Sequence, residues 1–313
     1  MRCLVTGAAG FIGSHLCHRL LQTGSSVLAV DCFTDYYARE LKEANLAPLL
    51  GKKGFSFIPE DLNRIDLPGL LDGIDGVFHL AAQAGVRASW GKSFSVYTQN
   101  NIDATQRLLE ASKGTGILKF VYASSSSVYG ACPELPMRET SPTLPFSPYG
   151  VSKLAAEHLC RLYSTHYGVP TVSLRFFTVY GPGQRPDMAF HKFFRAIRLG
   201  SSIPVFGDGL QTRDFTYIDD IVDANLAALN RGRAGEVYNV GGGHRRVLKE
   251  LFPLFEEISG QKVQVQWDES QKGDVPHTSA DIEKAARELA YAPRTPLEEG
   301  LKEEWDWVKN LYA

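Results

Sequence analysis

The first half of the chain alternates between short apolar runs and longer stretches in which apolar residues recur every three or four positions. The apolar runs predict strands, which we place at residues 1–6, 26–30, 55–58, 77–80, 119–123 and 171–177. The longer stretches predict helices, which we place at 14–23, 100–113 and from Ser147 onward. Strands that alternate with helices in this way indicate an α/β protein built on a doubly wound parallel sheet.

The regular alternation ends beyond residue 178. The patterns there predict helices near 189–199, 220–230, 248–259 and from 297, and short strands at 203–206, 237–240 and 263–267. We therefore expect a large domain over residues 1–178, to which the chain returns around 213–240. A smaller, intertwined lobe takes most of residues 179–313.

A glycine-rich turn follows the first predicted strand. Gly7, Gly10 and Gly13 have the spacing G-x-x-G-x-x-G and lead into a helix, so a pyrophosphate can approach the backbone at the helix N-terminus. Asp31 ends the second strand, about 20 residues further on, where a carboxylate suits the ribose diol of NAD and repels the 2′-phosphate of NADP. These features predict a Rossmann-type site for NAD, with a glycine turn that binds nothing as the alternative.

Two further strand ends suit a bound dinucleotide. Ala81 and Ala82 follow the fourth strand, and small side chains at the carboxyl end of a parallel sheet let a ligand lie close to the backbone. Asp61 follows the third strand and either hydrogen-bonds an adenine or caps its own turn. The predicted dinucleotide site thus lies along the carboxyl ends of the strands.

Four consecutive serines, 124–127, end the fifth strand, and the next helix carries Tyr149 and Lys153. The serine run is too short for a typical flexible linker, so we interpret it as a hydroxyl-lined site. A spacing of four places Tyr149 and Lys153 on one face of a helix. A phenol titrates near ~10, but a nearby cation favours the phenolate, so the pair can exchange a proton with an alcohol.

Composition and charge narrow the possible functions. The chain has 313 residues, 44% of them hydrophobic and 22% charged, as expected of a globular protein. A net charge of -2 provides no basic field for nucleic acid or for an anionic membrane. No apolar run reaches the ~18 residues of a membrane span and no signal peptide precedes the first strand, so we expect a cytoplasmic protein. The five cysteines and eight histidines lack metal-ligand spacing, and we predict neither disulfides nor a metal site.

Together these motifs resemble those of the extended short-chain dehydrogenases/reductases, in the group of nucleotide-sugar epimerases and dehydratases. The resemblance covers essentially the whole chain. It implies a bound NAD and a nucleoside-diphosphate sugar that lies across the smaller lobe. The residues that it assigns to the cofactor are Gly7, Gly10, Phe11, Ile12, Gly13, Asp31, Asp61, Leu62, Leu80, Ala81, Ala82, Gln83, Asn100, Tyr149 and Lys153.

The same resemblance implies catalytic roles. Tyr149 takes the proton of the sugar 4-hydroxyl while the nicotinamide takes a hydride from C4. Lys153 contacts the nicotinamide ribose and keeps the phenol near its ionised form, and Ser125 hydrogen-bonds the same hydroxyl. Asn101 positions the catalytic helix through the backbone.

Charged residues of the second half match substrate positions of the group. Arg213 and Asp274 match positions that contact the diphosphate and the nucleotide ribose. Arginine suits that task independently, because a guanidinium binds phosphate oxygens bidentately. Arg185 is a second candidate for contact with the sugar or the diphosphate, with a solvated loop residue as the alternative. In the first half of the chain, Arg87 belongs to a Gly-Val-Arg segment that marks one branch of the group.

In this group, oxidation at C4 gives a 4-keto intermediate, and the residues around the serine run determine which product forms from it. A 4,6-dehydratase of this group carries an Asp-Glu pair where this chain has Ser126 and Ser127, and a nucleotide-uronate decarboxylase keeps a glutamate there. Both reactions are therefore disfavoured, and epimerisation remains. The sequences F-F-T-V-Y-G-P and R-P-D-M resemble the branch that acts on UDP-glucuronate. Ser126, Ser127 and Thr178 would offer hydroxyl donors to a C6 carboxylate without adding an acid.

Two alternatives remain open. UDP-glucose or UDP-N-acetylglucosamine also suits a hydroxyl-lined pocket, and a non-catalytic nucleotide-binding regulator can keep the same fold. The intact Ser125, Tyr149 and Lys153 favour an enzyme over a regulator. The resemblance also implies a homodimer, in which the helices that contain Asn100 and Tyr149 pack into a four-helix bundle.

Overall fold

Seven strands form one parallel sheet in the computed structural model, which describes residues 1–313. Across the sheet they lie in the order Phe55–Ile58 (β3), Ser26–Val30 (β2), Arg2–Thr6 (β1), Gly76–His79 (β4), Lys119–Ser125 (β5), Thr171–Phe176 (β6) and Glu236–Val240 (β10). All neighbouring pairs are parallel, so the predicted doubly wound parallel sheet is confirmed. The strand order reverses between β1 and β4, which is where such sheets bind ligands.

Eleven helices accompany the strands. They lie at Phe11–Gln22 (α1), Arg39–Leu46 (α2), Leu67–Leu71 (α3), Phe94–Tyr97 (α4), Ala104–Ala111 (α5), Pro148–Tyr167 (α6), Ala189–Arg198 (α7), Ile218–Arg231 (α8), Phe252–Ser259 (α9), Glu283–Leu289 (α10) and Leu297–Leu311 (α11). A π-helical turn, Thr98–Asp103, joins α4 to α5. None of these helices combines the length and the apolar character that a membrane crossing requires.

Apolar side chains on the two faces of the sheet build two separate cores. Successive residues of a strand point to opposite faces. Val5 and Phe78 accordingly pack with α1 and α8 in the larger core, whereas Leu4 and Val77 pack with α3, α5 and α6 in the smaller one. The continuous apolar runs of the sequence follow from this burial on both faces.

Two small sheets complete the fold outside the main one. Thr178–Tyr180 (β7), Thr212–Tyr217 (β9) and Arg245–Val247 (β11) form a three-stranded sheet, and Ile203–Phe206 (β8) pairs with Val265–Asp268 (β12). The sequence patterns missed β7, β9 and β11. In β9 the buried Asp214 interrupts the apolar pattern, and its carboxylate accepts hydrogen bonds from the backbone of Gly242 and Ala280, at 2.9 Å each.

The helix α6 begins where the sequence predicted. Ser147 is its N-cap, because the hydroxyl accepts a hydrogen bond of 3.1 Å from the Gly150 backbone, and Pro148 occupies the first turn. A Cβ on Gly150 would lie 2.5 Å from the carbonyl oxygen of Ser127. The start of α6 is therefore pressed against the serine turn that follows β5.

We predict that Ser147→Ala lowers the free energy of unfolding by about 1 kcal/mol, because a backbone N–H at the start of α6 loses its acceptor. Urea unfolding followed by circular dichroism measures the change. Ser56→Ala, at an exposed serine of β3, is the matched control and should leave the midpoint unchanged. Equal midpoints for both variants would show that the cap contributes nothing.

Candidate active site

Two adjoining cavities open at the carboxyl end of the main sheet. The first follows the ends of β1, β2, β4 and β5, and every residue that the sequence analysis assigned to the cofactor lines it. The second lies toward the small sheets and is lined by Arg87, Thr178, Arg213 and Asp274. Tyr36 lines both, so the two cavities share a wall.

Glycines form the floor of the first cavity. Gly7 has a φ of 70°, and an added Cβ there would lie 2.7 Å from the Ala81 nitrogen. A Cβ on Gly13 would lie 2.1 Å from the Gly7 carbonyl oxygen. The turn and the start of α1 therefore need glycine, and the backbone is left open to a pyrophosphate, so these residues suit a dinucleotide.

Asp31 stands at the far end of this cavity. Its carboxylate accepts hydrogen bonds from the backbone of Ala9 at 3.1 Å and of Phe33 at 2.8 Å. Burial raises its pKa, whereas the Phe33 hydrogen bond and the charge of Lys42 oppose the rise. Lys42 also lines the cavity and donates to the Thr34 carbonyl at 2.5 Å. The sequence analysis missed Lys42, because one lysine on the amphipathic α2 resembles any solvated lysine.

Tyr149 lies half-buried on the first turn of α6, with its ring edge-on to Tyr97 at a centroid distance of 6.2 Å. Burial raises the pKa of its phenol. The Arg185 charge, first among the opposing influences, and the Ser125 hydroxyl lower that pKa. The prediction gave this electrostatic role to Lys153, whereas in the structure the leading cation comes from the loop after β7.

Lys153 is buried one turn further along α6. Its ammonium lies 4.8 Å from the centroid of the Tyr122 ring. Burial lowers the pKa of Lys153 to about 8, while the electrostatic influences of the Cys160 and Glu157 side chains act to raise it. Near neutral pH the ammonium is therefore close to losing its proton.

Asn101 ties this helix to the sheet. It lies in the π-helical turn and donates to the Ser152 hydroxyl at 2.8 Å and to the Gln83 carbonyl at 3.0 Å. Its own oxygen accepts from the Gln83 nitrogen at 2.7 Å. All polar atoms of the amide are thus used between α6 and the strand end, and π-helical turns of this kind are frequent at functional sites.

A row of hydrogen-bonded side chains crosses the wall between the cavities. Arg185 donates to both oxygens of Asp187, at 2.9 and 3.0 Å, and the Tyr36 hydroxyl donates to Asp187 at 3.2 Å. A Cβ on Gly85 would lie 2.0 Å from the Tyr36 hydroxyl, so Tyr36 reaches over that glycine. Arg185 is thus an ion-paired residue of the first cavity and not a solvated loop residue.

The serine run ends β5 and begins the turn that follows it. Ser125, Ser126 and Ser127 are half-buried, and the Ser127 nitrogen donates to the Ser125 hydroxyl at 3.1 Å. Thr178 begins β7 and lines the second cavity. The structure therefore brings Ser125 to Tyr149 and Thr178 to the second cavity, with Ser126 and Ser127 on the turn beside them.

The second cavity carries an excess of positive charge. Arg87 pairs with Asp274 at 2.6 Å and stacks 4.0 Å from the centroid of the Phe206 ring. Arg213 donates only to backbone carbonyls, those of Thr212 and Pro276, at 2.9 and 3.1 Å. Lys192 on α7, which the sequence analysis missed, lines the same cavity.

Burial lowers the pKa of the Lys192 ammonium, and the charge of Arg87 lowers it further. The Arg87 charge is offset by Asp274, but neither Lys192 nor Arg213 has a carboxylate within ion-pair distance. Two cations without an ion-pair partner in one cavity suit an anion with two charges, such as a diphosphate. The sequence signal for Lys192 was its position among the phenylalanines of α7.

No group of three or more His, Cys, Asp or Glu side chains converges in a way that would hold a metal ion. All five cysteines are free thiols.

Comparison with known proteins places these features in a wider group. The model of a family described as "NAD dependent epimerase/dehydratase family" matches residues 3–241. A Bacillus subtilis (strain 168) protein named "Uncharacterized UDP-glucose epimerase YtcB" is 47% identical over 314 aligned positions, covering 100% of this chain and 99% of the relative. A UDP-glucuronate 4-epimerase of Thermodesulfobacterium geofontis (strain OPF15) is 39% identical, with 98% of this chain and 96% of the relative covered.

A solved structure is similar over its full length. The UDP-glucuronic acid 4-epimerase from Bacillus cereus, in complex with UDP-glucuronic acid and NAD, superposes with a TM-score of 0.97. It shares 46% sequence identity with this chain, and 100% of each chain is covered.

We predict that Arg185→Met raises the pKa of the Tyr149 phenol, because the leading positive influence on the phenolate is lost. Tyrosinate absorbance during an alkaline titration measures it, and subtracting the Tyr149→Phe curve isolates the one phenol. Arg161→Met, an exposed arginine on the outer side of α6, is the control. If Arg185→Met and Arg161→Met give the same Tyr149 curve, Arg185 does not set this pKa.

Proposed function

Because the chain belongs to the NAD dependent epimerase/dehydratase family, we propose that it inverts C4 of a UDP-sugar and that its substrate pair is UDP-glucuronate and UDP-galacturonate. The observation that carries this function is the proton-transfer pair Tyr149 and Lys153 next to a cavity with two cations that lack an ion-pair partner. The protein is an isomerase with NAD as its recycled cofactor. Its similarity to the Bacillus cereus UDP-glucuronic acid 4-epimerase supports the choice of substrate.

NAD, when bound, accepts a hydride from C4 of the sugar and returns one to it. The glycine turn would hold the pyrophosphate, and Asp31 would accept hydrogen bonds from the adenosine ribose. The reaction has no net redox change, so the cofactor need not leave between turnovers. An epimerase of this kind works without added NAD.

Tyr149 is the acid and base of the proposed reaction. As a phenolate it takes the proton of the 4-hydroxyl during oxidation, and as a phenol it returns that proton when the alcohol is re-formed. Arg185 favours the phenolate, and the Ser125 hydroxyl supports it. Asn101 fixes the helix that presents Tyr149, through its bond to Ser152.

The second cavity would hold the nucleoside diphosphate. Arg213 and Lys192 supply the positive charge for the two phosphates, because no carboxylate pairs with either of them. Asp274 and Arg87 form the opposite wall, and their ion pair links the loop after β4 to the segment after β12. The sugar then extends toward Tyr149, across the wall that Tyr36 and Asp187 form.

A C6 carboxylate would be received by hydroxyl groups. Ser126, Ser127 and Thr178 offer small donors that suit an anionic substituent, and Asp187, an acid in the same cavity as Thr178, is already paired with Arg185. The oxidised sugar is a β-keto acid, and it loses carbon dioxide when the carboxylate bond aligns with the carbonyl π system. We propose that these hydroxyls hold the carboxylate out of that alignment.

UDP-glucose is the second candidate substrate. A hydroxymethyl group also suits a neutral, hydroxyl-lined wall, and the Bacillus subtilis relative carries a UDP-glucose epimerase name. UDP-N-acetylglucosamine is the same kind of alternative. A non-catalytic regulator is disfavoured, because it has no use for a buried ammonium beside a phenol.

A homodimer and a cytoplasmic location complete the proposal. The outer face of α6 exposes Val151 and Leu162, at 48% and 51%, and a second copy of α6 would cover them. Five free thiols suit a reducing compartment.

Light scattering should give twice the 34.5 kDa of one chain, and Leu162→Asp should halve that mass whereas Thr165→Asp should not. A monomeric wild type would refute the dimer, and secretion from the native cell would refute the location.

The test of the function is to incubate the purified protein with UDP-glucuronate, without added NAD, and to follow the anomeric protons by NMR. We expect UDP-galacturonate with little pentose nucleotide. The Tyr149→Phe variant is the control and should be inactive. If UDP-glucuronate is unchanged while UDP-glucose becomes UDP-galactose, the second candidate takes its place, and no turnover of any UDP-sugar would favour the regulator.

We predict that Thr178→Val raises the share of pentose nucleotide formed from UDP-glucuronate in the same assay, because one carboxylate donor is lost while the side-chain volume is kept. Ser127→Ala should act in the same direction. Thr143→Val, on the segment before α6, is the control. Slower turnover with no rise in decarboxylation would show that these hydroxyls do not protect the β-keto acid.

A further inference from the structure

A buried ion pair lies directly behind the proposed reaction centre. Glu157 follows Lys153 by one turn on the inner face of α6 and is 4% exposed. Its carboxylate accepts hydrogen bonds from the Arg175 guanidinium at 2.6 and 3.0 Å and from the Ser124 hydroxyl at 2.6 Å. Arg175 is 5% exposed. Neither charge contacts either cavity, so the proposed chemistry makes no direct use of them.

This ion pair joins the helix that carries Tyr149 to the strand end that carries Ser125. Ser124 on β5 and Arg175 on β6 are register partners, so their side chains point to the same face of the sheet, and both bind Glu157. Ser124 is adjacent to Ser125 in the chain. The distance between the Ser125 hydroxyl and the Tyr149 phenol therefore depends on where Glu157 fixes α6.

Arg175 is itself held from its other side. It donates to the Tyr129 hydroxyl at 2.8 Å and lies over that ring, 4.7 Å from the centroid. The Tyr129 hydroxyl donates to the Asn239 side-chain oxygen on β10 at 2.6 Å. The guanidinium thus has little freedom, and a lysine at this position would lose the paired hydrogen bonds.

The electrostatic surroundings of Lys153 give this pair a second effect. The ionisable groups around the ammonium are His79 on β4, Tyr122 on β5, and Tyr149, Cys160 and Glu157 on α6. Burial lowers the pKa of His79 to about 3 and raises those of Tyr122 and Cys160, so these three are neutral at pH 7. Glu157 is therefore the anion that favours the ammonium in the resting site, and the Arg175 charge bound to it offsets part of this effect.

Stability alone does not explain a buried ion pair, because the desolvation of the two charges offsets most of their attraction, and an apolar pair of the same volume often does as well. We propose that Glu157, anchored by Arg175 and Ser124, is a positioning residue of the reaction, which fixes Tyr149 and Lys153 against Ser125 and keeps Lys153 charged. This inference rests on the proposed function for its kinetic consequences. Its electrostatic part, the effect of Glu157 on the charge of Lys153, can be tested without a substrate.

Two variants distinguish a role of Glu157 in positioning and charge from a role in packing alone. Glu157→Gln removes the anion but keeps the shape, and leaves Arg175 buried without its partner. The double variant Glu157→Gln with Arg175→Met removes both charges and restores a neutral core. Arg138→Met, at an exposed arginine that pairs with Asp281, is the control for loss of an ion pair away from α6.

We expect Glu157→Gln to lower kcat about tenfold or more, with KM for the UDP-sugar within about twofold, because the loss concerns the reacting groups and not the diphosphate. The alkaline limb of the kcat profile should move to lower pH, since Lys153 without the anion loses its proton earlier. The double variant should recover stability to urea and keep the low kcat, with a smaller shift of the limb than Glu157→Gln, because the positive charge of Arg175 is removed as well. If it recovers wild-type kcat and pH profile, the pair is only a packing element and the inference is wrong.

A measurement without turnover keeps this inference separate from the proposed function. The ¹³Cε signal of Lys153, identified by its loss in Lys153→Met, reports the pKa of the ammonium directly. We expect a pKa near 8 in the wild type and a lower one in both Glu157 variants. An unchanged pKa would overturn the electrostatic role even if the enzyme is active, whereas a shifted pKa would support it even if no UDP-sugar is turned over.

Discussion

The burial of an ammonium group beside a phenol, on the inner face of α6, is the constraint on which the rest of the site depends. Removal from water disfavours the charged form of both groups, which is why the pKa of Lys153 falls and that of Tyr149 rises. Charged groups limit both shifts: the Arg185 guanidinium lowers the pKa of the phenol, and the Glu157 carboxylate raises the pKa of the ammonium.

These two influences come from different parts of the chain. Glu157 belongs to the same helix as Lys153, and hydrogen bonds from β5 and β6 fix it to the main sheet. Arg185 belongs to the loop after β7, and its position is set by Asp187 and, through it, by Tyr36 at the wall between the cavities. The pKa of the phenol is therefore influenced by a residue on the side where the sugar would bind. The pKa of the ammonium is influenced by a residue that lines neither cavity.

The main sheet, the glycine turn and the Tyr149–Lys153 pair could be predicted from the sequence, because each depends on local pattern: apolar runs, glycine spacing and a helical period of four. The parts that were missed depend on contacts between distant segments. The strand β9 contains a buried Asp214 whose hydrogen bonds come from backbone more than twenty residues away, and no local pattern indicates such partners. The same holds for Tyr36, which meets Asp187 only because the loop after β2 folds against the loop after β7. The sequence does contain a signal for Lys192, which is a cation among phenylalanines, but it contains none for Lys42.

The distribution of charge along the two cavities bears on how one site can serve two epimers. Two cations without an ion-pair partner, Lys192 and Arg213, lie in the second cavity, whereas the turn after β5 offers hydroxyls and no carboxylate of its own. Binding energy from a part of the substrate that does not react can be used to hold it while the reacting part changes position. If the diphosphate binds these two cations as proposed, it would keep the intermediate in the site while the hydroxyls of the turn exchange their hydrogen bonds as the ring turns. A net charge at the sugar end would favour one orientation of the ring and slow its turning, and it would leave the equilibrium between the two free epimers unchanged.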